Sequence, residues 1–250
     1  MVNKIKIDED IYIGGDEFTI IAGPCSVENL EQVEEIGSFL NRLGVKFLRG
    51  GAFKPRTDPK SFQGLGLDGL KILKKIKDKY GFKIISEIMD PRDIDEAYNY
   101  IDIYQIGSRN MYNYPLLKEV GNMDRPVLLK RGMSATIEEW IKASEYIELG
   151  GNHKIIFCER GIRAFDPYTR NVLDLMAVPI IQEKTKYPII VDPSHGTGRR
   201  ELVLPATNAA KAIGANGIMI EIHPNPAMAL SDGEQSLNFG EFEELLLKIK

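Results

Sequence analysis

Eight short apolar runs, each followed by an amphipathic stretch, recur along the whole chain, and this alternation restricts the possible fold more than any other feature. The runs are 18–22, 45–48, 83–86, 103–106, 127–129, 154–157, 188–191 and 217–220. Each is bounded by Gly, Pro, Asp or Asn and does not strictly alternate apolar with polar residues, the pattern of parallel strands covered on both faces. Between them, 29–43, 67–80, 94–100, 114–120, 137–149, 171–184 and 201–213 place apolar residues three and four apart, and 239–249 supplies an eighth helix. Gly44, Gly81, Gly150 and Gly214 follow helical stretches, and Thr136 with Glu139 three residues on predicts a capping box.

Eight β/α units in 250 residues predict an α/β fold, a (β/α)8 TIM barrel occupying 1–250 as a single domain. A doubly wound sheet fits less well, because no glycine-rich dinucleotide turn follows the first strand. Ahead of the barrel, 1–17 form an extension in which Ile5, Ile7 and Tyr12 alternate with charged residues around Gly14-Gly15. That pattern predicts a β-hairpin capping the barrel's amino-terminal end.

Charge narrows the function. The 32 Lys and Arg against 36 Asp and Glu give a net charge of -4, so no chain-wide basic field exists to hold nucleic acid or an anionic membrane. Any positive charge that matters is local. No apolar run approaches the ~18 residues of a membrane span, and the first ten residues lack the apolar core of a signal peptide, so a cytoplasmic protein is expected. Two cysteines, Cys25 and Cys158, are too few for a disulfide scaffold, which leaves Cys25 available for chemistry.

In a barrel of this kind the site lies at the carboxyl ends of the strands, and every run here is followed by polar residues. Runs one, seven and eight lead into Cys25, His195 and Glu221, and barrel closure makes the eighth strand the neighbour of the first. A thiolate, an imidazole and a carboxylate meeting there are ligands for a divalent transition metal, with Asp232 in the following loop as a fourth. The alternatives are an inert buried thiol at Cys25 and a buried ion-pair role for Glu221. His223 reads equally as a ligand or as a hydrogen-bond donor to one. The other runs deliver Arg49, Lys54, Arg56, Arg109, Lys130 and Arg160 to one mouth, with Glu87 after the third. Six cations at corresponding positions imply a ligand bearing several negative charges, either more than one phosphate or a phosphate with a carboxylate. Trp140, at helical spacing in its segment, reads as packing.

Four motifs carry a family resemblance: Ala22-Gly23-Pro24-Cys25-Ser26-Val27-Glu28, Leu48-Arg49-Gly50-Gly51-Ala52-Phe53-Lys54-Pro55-Arg56-Thr57, Gln105-Ile106-Gly107-Ser108-Arg109-Asn110 and Asp192-Pro193-Ser194-His195. With Glu221-Ile222-His223-Pro224 and Ala229-Leu230-Ser231-Asp232-Gly233, the chain resembles the 3-deoxy-D-arabino-heptulosonate 7-phosphate (DAHP) synthases, and within them the short microbial type I-beta branch. The resemblance implies a metal-dependent condensation of phosphoenolpyruvate with erythrose 4-phosphate that releases phosphate, the first step of the shikimate pathway. It implies one divalent ion of the Mn, Zn, Fe or Co class on Cys25, His195, Glu221 and Asp232. Phosphoenolpyruvate is then expected on Arg49, Lys54, Arg109, Lys130 and Arg160, and erythrose 4-phosphate on Arg56 and Thr57. Lys54 is the first choice for proton transfer, with Glu87 and a metal-side water as competitors. The family also implies a homotetramer or homodimer. Because the chain holds too little outside the barrel for a fused regulatory domain, feedback inhibition through such a domain is not expected. Two departures are small: Ser108 stands where the family often has Ala, and Gly196-Thr197 where Pro or Ala is common.

The nearest rival is 3-deoxy-D-manno-octulosonate 8-phosphate synthase, which accepts arabinose 5-phosphate. That sister family resembles Lys-Ala-Asn-Arg-Ser where this chain has Lys54-Pro55-Arg56-Thr57, which argues against it. Two further readings are a non-catalytic phosphosugar-binding barrel, which predicts binding without turnover, and a metal-dependent aldolase, which predicts cleavage without phosphate release.

Overall fold

The computed structural model describes residues 2–249, so Met1 of the 1–17 extension and Lys250 lie outside the described residues. The first two strands, β1 (Ile5–Asp8) and β2 (Ile11–Ile13), pair as an antiparallel hairpin. Eight parallel strands follow: β3 (Thr19–Gly23), β4 (Phe47–Arg49), β5 (Lys83–Glu87), β6 (Ile103–Ile106), β7 (Val127–Lys130), β8 (Ile155–Glu159), β9 (Ile189–Val191) and β10 (Gly217–Glu221). They close into a barrel in chain order, β10 sealing against β3. Helices α1 (Leu30–Arg42), α2 (Leu67–Tyr80), α3 (Ile94–Ala97), α4 (Tyr114–Gly121), α5 (Ile137–Glu148), α6 (Ala177–Thr185), α7 (Pro193–Thr197), α8 (Val203–Ala212) and α9 (Phe239–Lys248) lie between and after the strands. The expected barrel is the observed one.

Closure is a matter of backbone proximity at the seam. Five consecutive residue pairs join β10 to β3, from Gly217 with Thr19 to Glu221 with Gly23. A side chain at Gly217 would put its Cβ 2.2 Å from the Thr19 carbonyl oxygen, so only glycine lets the last strand approach the first. The hairpin covers the amino-terminal end, as its apolar pattern predicts. Ile5 and Ile13 are buried, Asp8 pairs with Lys83 at the start of β5, and the Asn3 N–H donates to the Lys186 carbonyl just before β9 (2.7 Å).

Strands β4, β5, β7, β8 and β10 each run past the apolar stretch to end on a charged residue, Arg49, Glu87, Lys130, Glu159 and Glu221. These side chains therefore stand on hydrogen-bonded strand ends and not on loops, which fixes their direction. Two helical expectations need correction. The 94–100 segment is helical only over α3, after a 3-10 turn at Pro91–Asp93 that the Asp90 side chain caps. The expected helix at 171–184 begins at Ala177, because its first turn is recruited elsewhere: Val172 bridges Ile162, the Asn171 amide donates to the His195 carbonyl (2.8 Å), and Asp174 pairs with Arg131 (2.8 Å). Tertiary contacts outweigh helical spacing there. Trp140 is fully buried, edge-on to Phe157 and donating to the Leu129 carbonyl (3.1 Å), a packing role as expected.

Candidate active site

The turn after β3 presents Cys25, α7 presents His195, β10 ends on Glu221, and the loop before α9 carries Asp232. Four residues far apart in the chain thus place one ligand atom each within 4.8 Å of one another. Cys25 Sγ lies 3.2 Å from Asp232 Oδ2, and His195 Nε2 lies 3.3 Å from Glu221 Oε1 and 3.7 Å from Asp232 Oδ2.

The imidazole is aimed by its other nitrogen. Asp192 caps α7 by accepting the His195 N–H (3.0 Å), and its Oδ2 lies 2.7 Å from His195 Nδ1 and 2.5 Å from Lys130 Nζ. A carboxylate behind a histidine, leaving Nε2 toward a cluster of oxygen and sulfur donors, is how metal-binding histidines are commonly oriented. His195 thus stands on a short helix and faces the expected partners.

Burial is the main electrostatic force here. Burial, with Glu221 adding to it, pushes the Cys25 thiol up to about 12, against the pull of Lys54, whose Nζ is 2.9 Å from Sγ. Burial also lowers the His195 imidazole below its ordinary value, although Asp192 and Glu221 oppose it. It would raise the Asp232 carboxyl, but His195, Arg170 and Lys54 outweigh it and hold that group well below the usual carboxylate range. A thiol, a neutral imidazole and two acids crowded together cost energy unless a cation is shared among them. The mixed sulfur, nitrogen and oxygen set could hold a borderline divalent ion such as Zn, Mn, Fe or Co.

Beside this cluster opens a cavity of about 510 Å³, lined by eight basic residues against Asp58, Glu87 and Asp232. Its floor is dry and its mouth is wet. Arg49, Lys54, Glu87, Lys130 and Arg160 are buried, whereas Thr57, Arg109, Arg163 and Arg170 are exposed and Arg56 is half-buried. All of the expected anion-binding residues line this one space. Two of the buried cations are also tied to acids beneath it, Arg49 to Glu221 (3.0 Å) and Lys130 to Asp192 (2.5 Å). Glu221 therefore has both roles that the sequence left open, an ion-pair partner and a member of the ligand cluster. Glu87 sits among four cations, yet burial raises its carboxyl above the ordinary value, and its Oε1 has no hydrogen-bond partner.

Arg163, Arg170, Gln105 and Asn171 also line the cavity without having been anticipated. The two arginines and Asn171 lie on the 160–176 segment between β8 and α6, where a helix was expected only from 171 onward and a loop lining the mouth stands instead. Gln105 is a polar residue inside an apolar strand run, and that is the local sign of a side chain facing a site. Arg131, in the same basic-then-glycine form as Arg49 and Arg160, turns away to a buried pair with Glu159 (2.9 Å). His223 is outside the ligand cluster, its Nε2 facing Glu28 across 3.5 Å.

The DAHP synthetase I family model matches residues 3–250. Phospho-2-dehydro-3-deoxyheptonate aldolase of Thermotoga maritima is 55% identical over 241 residues, 96% of this chain and 71% of its own length. The crystal structure of Phospho-2-dehydro-3-deoxyheptonate aldolase (DAHP synthase) from Thermotoga maritima superposes with a TM-score of 0.96 at 53% identity, covering 99% of this chain and 72% of that one. The 2-dehydro-3-deoxyphosphooctonate aldolase of Fusobacterium nucleatum is 31% identical over 263 residues, 98% of this chain and 94% of its own length.

Proposed function

The chain belongs to the DAHP synthetase I family, and from this premise we infer that it is an enzyme joining phosphoenolpyruvate to erythrose 4-phosphate to give 3-deoxy-D-arabino-heptulosonate 7-phosphate and phosphate. The observation that carries the reading is the adjacency of a four-donor cluster and a cavity lined by eight basic residues at the carboxyl end of one barrel. The gap between 55% identity to the heptonate aldolase and 31% to the octonate aldolase favours erythrose 4-phosphate over a pentose phosphate.

Cys25, His195, Glu221 and Asp232 would hold one divalent ion, which when bound supplies Lewis acidity toward an aldehyde oxygen. Arg49, Lys54, Lys130 and Arg160, on the buried floor, suit the phosphate and carboxylate of phosphoenolpyruvate, since charges in a low-dielectric site grip an anion more strongly than at a wet surface. Arg109 reaches that ligand from the rim. Arg56 and Thr57, at the mouth, take the phosphate of the sugar. In the reaction C3 of phosphoenolpyruvate bonds to the aldehyde carbon, water adds at C2, and inorganic phosphate leaves. Lys54 is our choice for the proton delivered to the new alkoxide, because its Nζ stands at the ligand cluster, 2.9 Å from Cys25 Sγ, and lines the basic cavity. Glu87, held toward its neutral form by burial, is the second residue able to exchange a proton there.

One assay tests the reading: consumption of phosphoenolpyruvate and release of phosphate with erythrose 4-phosphate, before and after chelation and with metal restored. Turnover with erythrose 4-phosphate that chelation removes and Mn, Zn, Fe or Co restores is the expected result. Faster turnover with arabinose 5-phosphate, binding without turnover, or unchanged turnover after chelation would each sink it.

A further inference from the structure

Asp232 differs from the other three ligand candidates in how it is supported. Cys25, His195 and Glu221 stand on a strand end, a helix, or a turn directly after a strand, but Asp232 is borne by the long loop between β10 and α9. Its φ of +48° is left-handed, a conformation that costs most side chains energy and that Asp tolerates better than most. Its place beside Cys25 therefore depends on what the loop touches.

The structure places three successive contacts between that loop and the turn that carries Cys25, and they run in opposite chain directions. Cys25 Sγ meets Asp232 Oδ2 at 3.2 Å, Ser26 Oγ meets Ser231 Oγ at 2.6 Å, and Glu28 Oε1 accepts the Leu230 N–H at 2.8 Å. The hydroxyl pair is buried. Glu28 is itself anchored, its backbone N–H donating to Gln32 Oε1 in the first turn of α1 (3.1 Å). Its second oxygen, Oε2, faces His223 Nε2 across 3.5 Å, and His223 Nδ1 accepts the Asn225 N–H near the start of the loop (3.0 Å). One carboxylate thus meets both the start and the middle of the loop from the turn that follows Cys25.

We propose that Glu28, with the Ser26–Ser231 pair, forms a clasp that positions Asp232 as a ligand, so that the distance from Cys25 to Asp232 is set by contacts neither residue makes. Glu28 and Ser231 are positioning residues. The proposal rests on the metal-site reading above, and its test separates the two. Hydrogen exchange over 226–236 is followed in the metal-free protein, and Co(II) is titrated through the absorption of its bond to the Cys25 thiolate. In Glu28→Ala, exchange of this segment rises at least about tenfold. Its Co(II) affinity falls by about 10- to 100-fold, the usual cost of losing a support behind a metal ligand, while the thiolate band persists because Cys25 is untouched. Glu28→Gln, which still offers an oxygen to the Leu230 N–H, lies closer to wild type than to Glu28→Ala on both measures. Unchanged exchange or unchanged Co(II) affinity in Glu28→Ala overturns the clasp, as does a Glu28→Gln protein equally impaired. Should Glu28→Ala fail to fold, Ser231→Ala carries the same test with the same expected directions. A wild-type protein that binds no Co(II) refutes the metal site, and the exchange measurement then decides the clasp alone.

Discussion

Cys25 and Cys158 are both fully enclosed thiols that burial pushes up to about 12, and only their neighbours distinguish them. Cys25 has Lys54 Nζ and Asp232 within 3.2 Å, whereas Cys158 lies in β8 beside Lys130 of β7. This gives Cys158 a measurable influence on alkaline stability. In the unfolded chain its thiol ionises near the ordinary 9.0, but in the folded one near 12, so between these values the unfolded state gives up a proton that the native state keeps. Unfolding then becomes easier as pH rises, by about 1.4 kcal/mol per pH unit from this group. Cys158→Ala removes that contribution. Denaturant melts at about pH 8 and about pH 10.5 should show the wild type losing about 2 kcal/mol more than the variant over this interval. Parallel losses in the two proteins would mean that Cys158 ionises as freely folded as unfolded.

At the level of elements, local signals and tertiary demands can be told apart. The start of α5 is written locally: Thr136 Oγ1 accepts the Glu139 N–H (3.2 Å) and Glu139 Oε2 accepts the Thr136 N–H (2.8 Å), the reciprocal pair that the four-residue spacing predicts. Replacing Thr136 with Ala should cost about 1 kcal/mol of stability. For a chain of this size that lowers Tm by about 2–4 °C, measured by calorimetry, and turnover should be retained because Thr136 does not line the cavity. An unchanged Tm would show that tertiary packing alone holds the helix start. The 171–176 segment is the opposite case. Its apolar residues have helical spacing, but Asn171 and Asp174 are worth more to the fold as partners of the His195 carbonyl and of Arg131 than as a first helical turn. No window of local sequence contains those partners, which lie on α7 and after β7.

The barrel closes where β10 meets β3, and Glu221 at the end of β10 and Cys25 just after β3 are both ligand candidates, so a bound ion would bridge that seam. Any ligand that binds only the native state stabilises it, by about 2.7 kcal/mol at a hundred times its dissociation constant. Saturating Mn or Co should therefore raise Tm by about 5–10 °C, and a chelator should reverse the shift. Cys25→Ala, measured alongside, should lose most of the gain. No shift in the wild type with any ion of the Mn, Zn, Fe or Co class would argue that the cluster holds no metal.

The chain's own pattern of apolar runs and helical spacings determined the eight units, their order and the strands that end on Arg49, Lys130 and Glu221 or lead into Cys25 and His195, because burial on both faces of a parallel strand leaves a mark in every short stretch. It also indicated that the basic residues share one mouth. Only the tertiary structure decided which charges pair beneath that mouth, which way Arg131 turns, and that the 160–176 segment lines the cavity. It alone also revealed how the Asp232 loop is held against the Cys25 turn. The reason is physical: a hydrogen bond or ion pair between residues some two hundred positions apart, such as Glu28 with Leu230, depends on distances of a few ångströms that no local propensity encodes.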